Sequence, residues 1–385
     1  MSIKDSVVFP SNKAGESKIK IGIVFPCYGY ERVSYSLPIS EVEFTRSRTV
    51  PIHRILKSNF YKNTPIIIPT KTDYLHTWNA LPISTSPFFI SFENEIPRYF
   101  GSVSNWQESL GFSILKSSRC RGILALSDVA AKLAIEKMNE YGYPEIASKI
   151  SVFRGGVAID KSLFMLPKVP SQVLKIIFVG GDIFPKGFVP AFEALQDLVK
   201  KGVKIELVVI GKFKEGSYVL KEYSPDINKW NDTLQNASWV THYTELPNSV
   251  VLAKMATHDL LISPSYDETL GWAIIEAGLL GVPAITTNVF ALPELVKHNE
   301  SGYVINLKLG KQNRWLGIWA SNTELKLELA EANKLIYDGI TNAVKQVIKQ
   351  PEILEKWSNN CKNHLSKLYD VNIAASKLLD IYKKG

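Results

Sequence analysis

The sequence predicts an α/β protein built from doubly wound parallel sheets in more than one domain. Short apolar runs rich in Val and Ile alternate with helical stretches along the chain, which is the pattern of repeated βαβ units. Most of these runs are apolar at every position, as expected for strands that are covered on both faces. At 385 residues the chain is also too long for one ordinary core.

The predicted elements fall into two sets, one in each half of the chain. The strands of the first half are predicted at residues 19–26, 65–69, 87–92, 122–127 and 150–154. Those of the second half are predicted at 174–179, 204–210, 239–242, 259–263, 284–287 and 303–305. The helices are predicted at 129–140, 187–200, 246–257, 271–280, 323–349 and 352–369.

A segment without helical or strand periodicity separates the two sets. Residues 157–173 carry Asp160, Pro167 and Pro170, and we predict a hinge there. The first domain is therefore predicted over residues 1–165 and the second over 166–365. The helices after residue 323 either brace the second domain or cross back, and the last one, at about 366–385, is expected to pack on the first.

Composition narrows the class of protein. Hydrophobic residues make up 45% and charged residues 21%, which is typical of a folded globular chain. No apolar run approaches the roughly 18 residues needed to span a bilayer, and the first residues lack the apolar segment of a secretory signal, so we expect a cytoplasmic protein. Cys27, Cys120 and Cys361 are far apart and odd in number, which is typical of reduced structural thiols.

The basic charge lies mainly in the first half of the chain. Residues 1–170 contain 21 Lys and Arg against 14 Asp and Glu, out of a net charge of +8. Such an excess favours an anionic partner such as a membrane surface, and a solvated basic surface without a partner is the alternative. No nucleic-acid recognition pattern is present, so we expect no nucleic-acid partner.

The most informative segment is residues 259–276, DLLISPSYDETLGWAIIE. An apolar strand leads through a short polar loop into a helix that Gly271 opens. A helix N-terminus presents free backbone N–H groups and the positive end of the helix dipole, which together bind phosphate. Glu268 in the loop and Glu276 on the helix are pure acceptors for sugar hydroxyls. The segment predicts a nucleotide-sugar site, with two surface acids of no function as the alternative.

A second loop has a related composition. Residues 177–187 read IFVGGDIFPKG, and the glycines after the strand let a ligand approach the backbone closely. Lys186 stands just before the next predicted helix, where its ammonium could meet a diphosphate. The alternative is an ordinary surface lysine, because the segment matches neither of the common glycine-rich phosphate-binding motifs.

With these motifs in this order, the chain resembles glycosyltransferase family 4, the retaining nucleotide-sugar glycosyltransferases of GT-B fold. The matching pieces between residues 148 and about 307 are SKISVFRGGVAID, IIFVGGDIFPKG, KIELVVIG, SPSYDETLGWAIIEAGLLGVPAITTN and ALPELVKHNESGYVI. The first half matches more faintly, through GIVFPCYGY, FFISFENEIPRYFG and RGILALSDVAAKL. The resemblance implies two doubly wound Rossmann-like domains facing a central cleft, the first on the acceptor side and the second binding the donor.

The resemblance also implies residue roles. Lys186 would bind the donor diphosphate, Glu276 the nucleotide ribose and Glu268 the hydroxyls of the transferred sugar. Backbone and glycine positions would contact phosphate or base, or leave room for them: Gly29, Gly211, Thr269, Leu270 and Gly271.

The chain departs from the family pattern at two places. An Arg of the family aligns with Gly181, so phosphate binding needs either Lys186 alone or a substitute such as Arg154. A His of the first domain aligns with Glu93, which makes Glu93 a candidate catalytic residue. His76 is a competing candidate, and a purely structural role remains an alternative for each of these two side chains.

The implied reaction is hexosyl transfer to an acceptor hydroxyl with retained anomeric configuration, in glycan, polysaccharide or glycolipid biosynthesis. Neither a metal ion nor a cofactor beyond the nucleoside diphosphate sugar is expected. The basic first half with Trp78 and Trp106 suits a glycan or lipid-linked acceptor and peripheral membrane contact. The alternatives are a non-catalytic nucleotide or glycan binder, or a phosphorylase or epimerase on the same scaffold.

Overall fold

The computed structural model describes residues 17–24, 31–52, 59–99, 103–166, 172–216, 219–220, 223 and 225–385. Two compact units are present. One contains the described residues up to Ala158 together with Tyr369–Gly385, and the other is Ile159–Leu368. Each unit has its own six-stranded sheet with parallel neighbours, so the predicted class of two Rossmann-like α/β units is confirmed.

The sheet of the first unit is parallel throughout. Its region contains strands β1 (Ile19–Val24), β2 (Val42–Arg46), β3 (Thr49–Val50), β4 (Ile66–Ile67), β5 (Tyr74–Trp78), β6 (Phe88–Phe92), β7 (Cys120–Ala125) and β8 (Ile150–Val152). The strand order is β2-β1-β5-β6-β7-β8, and β3 pairs with β4 separately. The order reverses between β1 and β5.

Sequence patterns misassigned part of this sheet. The strand predicted at 65–69 is only the two-residue β4, which pairs antiparallel outside the main sheet. Strands β2 and β5 were not predicted. β2 is an edge strand with half-exposed polar positions, and β5 buries His76 and Thr77, so neither reads as an apolar run.

Helices cover the first sheet. Those before the linking segment are α1 (Asn59–Asn63), α2 (Asn105–Lys116), α3 (Asp128–Glu140) and α4 (Pro144–Ala147). Helix α2, which was not predicted, begins at a capping box in which Ser104 and Gln107 bond each other's backbone. Ser127 caps α3 by accepting a hydrogen bond from the Ala130 amide at 3.2 Å.

The second unit follows the predicted strands closely. They are β9 (Leu174–Asp182), β10 (Ile205–Lys212), β11 (Val240–Tyr243), β12 (Leu260–Ser263), β13 (Ala284–Thr287) and β14 (Gly302–Ile305). The order is β11-β10-β9-β12-β13-β14. The chain first winds from β9 toward β11 and then returns to the other side of β9, so the order reverses between β9 and β12.

The helices of the second unit are α5 (Phe188–Lys200), α6 (Ile227–Asn236), α7 (Asn248–Ala256), α8 (Trp272–Leu279), α9 (Leu292–Leu295), α10 (Asn322–Lys349) and α11 (Glu352–Leu368). The segment predicted as a hinge holds one 3₁₀ turn, Lys161–Met165, and its residues 167–171 lie outside the described residues. Within the part of the chain that the structure describes, no helix is long and apolar enough to cross a membrane.

The C-terminal helix α12 (Val371–Lys384) packs in the first unit. Its apolar face, including Leu378 and Tyr382, joins the core formed by Ile21 and Phe89. Burying one such Leu side chain is worth about 2 kcal/mol. Residues more than 300 positions apart in sequence thus share one core.

The two cysteines that the structure describes lie in the protein interior. Cys120 and Cys361 are buried, and burial raises the pKa of the Cys120 thiol to about 12. A thiol with so high a pKa is a poor nucleophile at neutral pH. Cys27 lies outside the described residues.

Candidate functional site

The point where the strand order of the second unit reverses marks a binding edge. In open parallel α/β sheets, ligands bind outside the carboxyl ends of the strands at this reversal. The loops that follow β9 and β12 both leave the sheet there. These two loops are the segments that the sequence singled out.

Lys186 and Glu268 come from these two loops and touch each other. The Lys186 ammonium forms an ion pair with Glu268 Oε2, and both side chains are partly buried. The loops are also joined by their backbones, because the Tyr266 amide donates to the Pro185 carbonyl at 3.1 Å. The structure therefore brings together two residues that are 82 positions apart in the chain.

Both loops end in a helix that begins at a left-handed glycine. Gly187 precedes α5 with φ of 74°, and Gly271 precedes α8 with φ of 82°. A side chain at Gly187 would collide with the Pro264 carbonyl, so this position needs glycine. Neither helix has an acidic residue in its first turn. The positive end of the α8 dipole is thus open to an anion, whereas at α5 the Phe188 amide donates to the Ile183 carbonyl and Pro190 has no N–H, so the Val189 amide is the first-turn donor left there.

The loop amides assigned to phosphate are only partly free. The Thr269 amide donates to Oε1 of Glu268 at 3.1 Å. The Leu270 side chain is buried, which fixes the loop against the core. The Glu268 carboxylate therefore binds both the Lys186 ammonium and one backbone amide of the predicted phosphate-binding loop.

Glu276 lies on α8 and is only 6% exposed. Asn248, the first residue of α7, donates its side-chain N–H to Glu276 Oε1 at 3.5 Å. A buried carboxylate needs such donors, and hydroxyl groups of a ligand would supply more. Asn248 was missed by sequence reasoning, and its position at a helix start was the signal that could have found it.

The glycines at the ends of β9 and β10 differ in role. Gly211, which has φ of 142°, lies so close to Gly180 that a side chain would strike the Gly180 carbonyl. Its glycine is thus explained by backbone packing. At Gly181 the reverse holds, since no atom lies within 4 Å of where a Cβ would stand. The space beside Gly181 is therefore open to a side chain.

A second cation stands at this edge. Asp182 ends β9, and burial raises the pKa of its carboxyl group, while Lys214 and Lys186 oppose that rise. Lys214 follows β10, the neighbouring parallel strand, so both ammonium groups act near one carboxylate. Sequence reasoning missed Lys214, although its place directly after a strand was a usable signal.

In the first unit, Glu93 follows β6 and is held by two neighbours. Arg98 Nη1 donates to Glu93 Oε2 at 3.1 Å, and Asn79 Nδ2 donates to the same oxygen at 3.3 Å. The Glu93 side chain keeps 21% of its surface exposed. Glu93 is thus held by two hydrogen bonds and remains partly accessible at the carboxyl end of a central strand. Arg154, the suggested substitute cation, forms an ion pair with Asp128 of the same unit.

His76 lies inside the first unit, with no exposed surface. Its Nδ1 bonds the Tyr382 hydroxyl at 2.7 Å, and its Nε2 bonds Ser91 Oγ at 2.8 Å. Burial lowers the pKa of His76 to about 3, so the ring is neutral near pH 7. This arrangement suits a structural residue and gives no access to a substrate.

The sequence also singled out Gly29, Trp78 and Trp106. Gly29 lies outside the described residues. Trp78 is buried, whereas Trp106, in the first turn of α2, is 58% exposed. The site that the described residues form is therefore the edge of the second sheet, with Lys186, Glu268 and Glu276 on its loops and helices.

The chain is similar to known glycosyltransferases over part of its length. Residues 167–312 match the family model described as glycosyl transferases group 1. The chain is 23% identical over 292 residues to the sulfoquinovosyl transferase SQD2 of Arabidopsis thaliana, covering 72% of this chain and 51% of that one. It is 26% identical over 196 residues to the putative colanic acid biosynthesis glycosyltransferase WcaL of Escherichia coli, covering 48% and 43%.

Among solved structures, HepE of Anabaena in complex with UDP-glucose superposes with a TM-score of 0.57 at 12% identity, covering 94% of this chain and 98% of that one. This likeness shows the fold, which is GT-B. The chain spans about a third to a half of the length of the first curated relatives it matches, with shares of 32, 38 and 51%. Sequence and fold similarity both point to the GT-B glycosyltransferase group.

Proposed function

We propose that this protein is a retaining glycosyltransferase of family 4 type that transfers a hexose from a nucleoside diphosphate sugar to an acceptor hydroxyl. The observation that carries the proposal is the meeting of Lys186 and Glu268 at the strand-order reversal of the second unit. The matched family and the relatives that build glycans support it. The acceptor is proposed to be a glycan, a polysaccharide or a glycolipid.

The donor diphosphate would be bound by charge and backbone groups. Lys186 would bind the phosphate oxygens, and the N-terminus of α8, together with the Val189 amide of α5, would add amide donors. The Lys186–Glu268 contact would then be exchanged, because the diphosphate takes the ammonium while sugar hydroxyls donate to Glu268. Each partner keeps a polar contact, so the exchange leaves no buried charge without a partner.

In the reaction itself, the bond between the anomeric carbon and the diphosphate oxygen breaks, and its electron pair stays on the diphosphate. The acceptor oxygen forms the new bond on the same face of the sugar, and the acceptor proton passes to the leaving phosphate oxygen. No enzyme nucleophile is needed. Lys186 and the helix N-termini would stabilise the charge that develops on the leaving group. We propose that these groups suffice without a metal ion or further cofactor.

The other contacts follow from the same edge. Glu276, buried and backed by Asn248, is proposed to accept hydrogen bonds from the ribose hydroxyls. Glu93 is proposed as an acceptor-side residue because it is ordered and exposed at the end of β6. UDP is the first nucleotide to test, because the HepE structure holds UDP-glucose. Peripheral membrane contact, favoured by the basic first half, stays a prediction.

The test combines binding and turnover. Melting temperatures are measured with UDP, GDP, ADP, dTDP and their common sugar conjugates, and transfer is assayed on glycan acceptors. A nucleotide at 100 times its dissociation constant should add about 2.7 kcal/mol of stability. Lys186→Ala should lose this shift, and Glu268→Ala should keep it while turnover falls at least 100-fold.

A matched control is Lys334→Gln, which removes an exposed lysine that pairs with Asp338 at 2.8 Å on α10. This variant should behave as wild type. Full activity of both site variants would contradict the assignment of the site. Binding without transfer would identify a non-catalytic binder, and phosphate-dependent sugar release or donor epimerisation would identify the other two alternatives.

A further inference from the structure

A short hairpin lies between β14 and α10 in the second unit. Residues 308–316, called the 308–316 hairpin here, are closed by hydrogen bonds from the Gly310 amide to the Arg314 carbonyl (2.8 Å) and from the Leu316 amide to the Lys308 carbonyl (2.9 Å). At its tip, Gln312 and Asn313 both have left-handed backbones, with φ of 57° and 55°. A non-glycine pair in this conformation is held by its surroundings.

The hairpin is anchored to the segment that follows β13. The side-chain oxygen of Asn288 accepts a hydrogen bond from the Leu307 amide at 2.9 Å, and its Nδ2 donates one to the Leu307 carbonyl at 3.1 Å. The Phe290 amide donates to the Asn313 carbonyl at 2.7 Å. Phe290 itself has φ of 45°, which is unfavourable for a bulky residue. The hairpin is therefore fixed at the carboxyl edge of the sheet, one strand away from the loop that follows β12.

From this position, two side chains of the 308–316 hairpin contact the loop that carries Glu268. Arg314 forms a two-pronged ion pair with Asp267, with Nε donating to Oδ1 at 2.8 Å and Nη2 donating to Oδ2. The Asp267 side chain is only 1% exposed. Next to it, the buried Trp315 ring packs on Tyr266 with centroids 5.3 Å apart. Both residues that precede Glu268 are thus held by consecutive residues of the hairpin.

We propose that Arg314 is a positioning residue, which sets the placement of Glu268 by locking Asp267. The inference rests on the proposed function, in which Glu268 holds the transferred sugar. A guanidinium fixes both distance and orientation of a carboxylate, which a lysine does not. Arg314 lies two residues beyond the segment that matches the family model, which ends at residue 312.

The experiment separates positioning from simple stabilisation. Arg314→Gln is made in the wild-type protein and in a Glu268→Gln background, and kcat and both KM values are measured for transfer. Loss of the two-pronged ion pair with Asp267 should lower kcat about 10- to 100-fold in the otherwise wild-type protein, since small misplacements of a catalytic group have effects of this size. The acceptor KM should stay unchanged. In the Glu268→Gln background the same substitution should change kcat less than about threefold, because the group it positions is already gone.

Two further variants complete the design. Arg314→Lys keeps the charge without the fork and should fall between wild type and Arg314→Gln. If Arg314→Gln does not fold, the paired change Asp267→Asn with Arg314→Gln removes both buried charges and gives the same comparison. The control Lys334→Gln should leave kcat and both KM values unchanged in either background.

Equal loss of kcat in both backgrounds, or no loss in wild type, would overturn the positioning role while leaving the proposed function intact. If wild type binds nucleotides but transfers no sugar, the proposed function fails and binding decides the inference. Arg314→Gln should then abolish the preference for the sugar conjugate over the nucleoside diphosphate while keeping affinity for the latter within about threefold. Equal loss for both ligands, or no binding of either by wild type, would overturn the inference.

Discussion

His76 provides a pH-dependent test of the first unit's core. Its ring is fully buried between the Tyr382 hydroxyl and Ser91 Oγ, and the rings of Tyr35 and Phe89 lie beside it. Tyr382 stays neutral, because burial raises its pKa. The pKa of His76 is about 3 in the folded chain, against 6.5 for the free side chain. Between these pH values the unfolded chain binds a proton that the folded chain excludes.

The sign and size of the effect follow from this difference. A histidine with a lowered pKa leaves stability intact above pH 6.5 and reduces it as the pH falls toward the folded-state value. The slope is about 1.4 kcal/mol per pH unit inside this window. Between pH 6.5 and pH 5 the His76 contribution should therefore cost about 2 kcal/mol, a large share of the 5–15 kcal/mol typical of a domain.

The assay is chemical unfolding of wild type and His76→Gln from pH 8 to pH 5. Each protein is referenced to its own value at pH 8, so the hydrogen bonds that the variant lacks and the titration of other groups cancel. Tyr382→Phe, which removes one partner of the ring, identifies the transition that belongs to the first unit. Wild type should lose about 2 kcal/mol more than His76→Gln by pH 5. Parallel curves for the two proteins would refute a buried neutral His76, as would a dependence of kcat/KM on its ionisation near pH 6.5.

Two further predictions concern charge at the candidate site. Gly181→Arg should tighten nucleoside diphosphate binding about tenfold, because open space surrounds its Cβ position and a second cation would face the phosphates. Gly181→Gln should not tighten binding. Equal binding by both variants, measured by titration calorimetry, would show that the cation is not limiting. Glu93→Gln keeps the shape of the side chain while removing its charge, and it should lower kcat for transfer at least tenfold with the donor-induced melting shift unchanged; unaltered kcat would reduce Glu93 to a partner of Arg98 and Asn79.

Local sequence patterns predicted the second unit well, because its central strands, such as β12 and β13, are buried on both faces and read as apolar runs. The loops with Lys186 and Glu268 were predicted for the same reason, since each is a strand, a glycine-containing turn and a helix start in one short window. Edge strand β2 was not predicted because three of its five residues are polar and two of these, Glu43 and Arg46, are exposed.

Contacts between distant residues could not be predicted in this way. The sequence made His76 a candidate catalytic residue, but in the structure it is buried and bonds the hydroxyl of Tyr382, which lies 306 residues later. Arg314 and Asp267 are 47 residues apart, and neither stands in a pattern that indicates an ion pair. Such pairings depend on how the chain returns to an edge of the sheet, and local periodicity carries no information about that return.

The balance of charge at the edge of the second sheet bears on the cation that the family resemblance would place at Gly181. The described residues there include four carboxylates, on Asp182, Asp267, Glu268 and Glu276, and the cations Lys186, Lys214 and Arg314. Arg314 is committed to Asp267 and Lys186 to Glu268, so a dianionic ligand meets few uncommitted cations among them. Under the proposed function, binding would then draw on the N-terminus of α8, the Val189 amide of α5 and the exchange of Lys186 from Glu268 to phosphate. Because that exchange also releases Glu268 toward the sugar, diphosphate binding and sugar binding should be coupled in this chain. A Gly181→Arg variant, which supplies an independent cation, should weaken that coupling even as it tightens nucleotide binding.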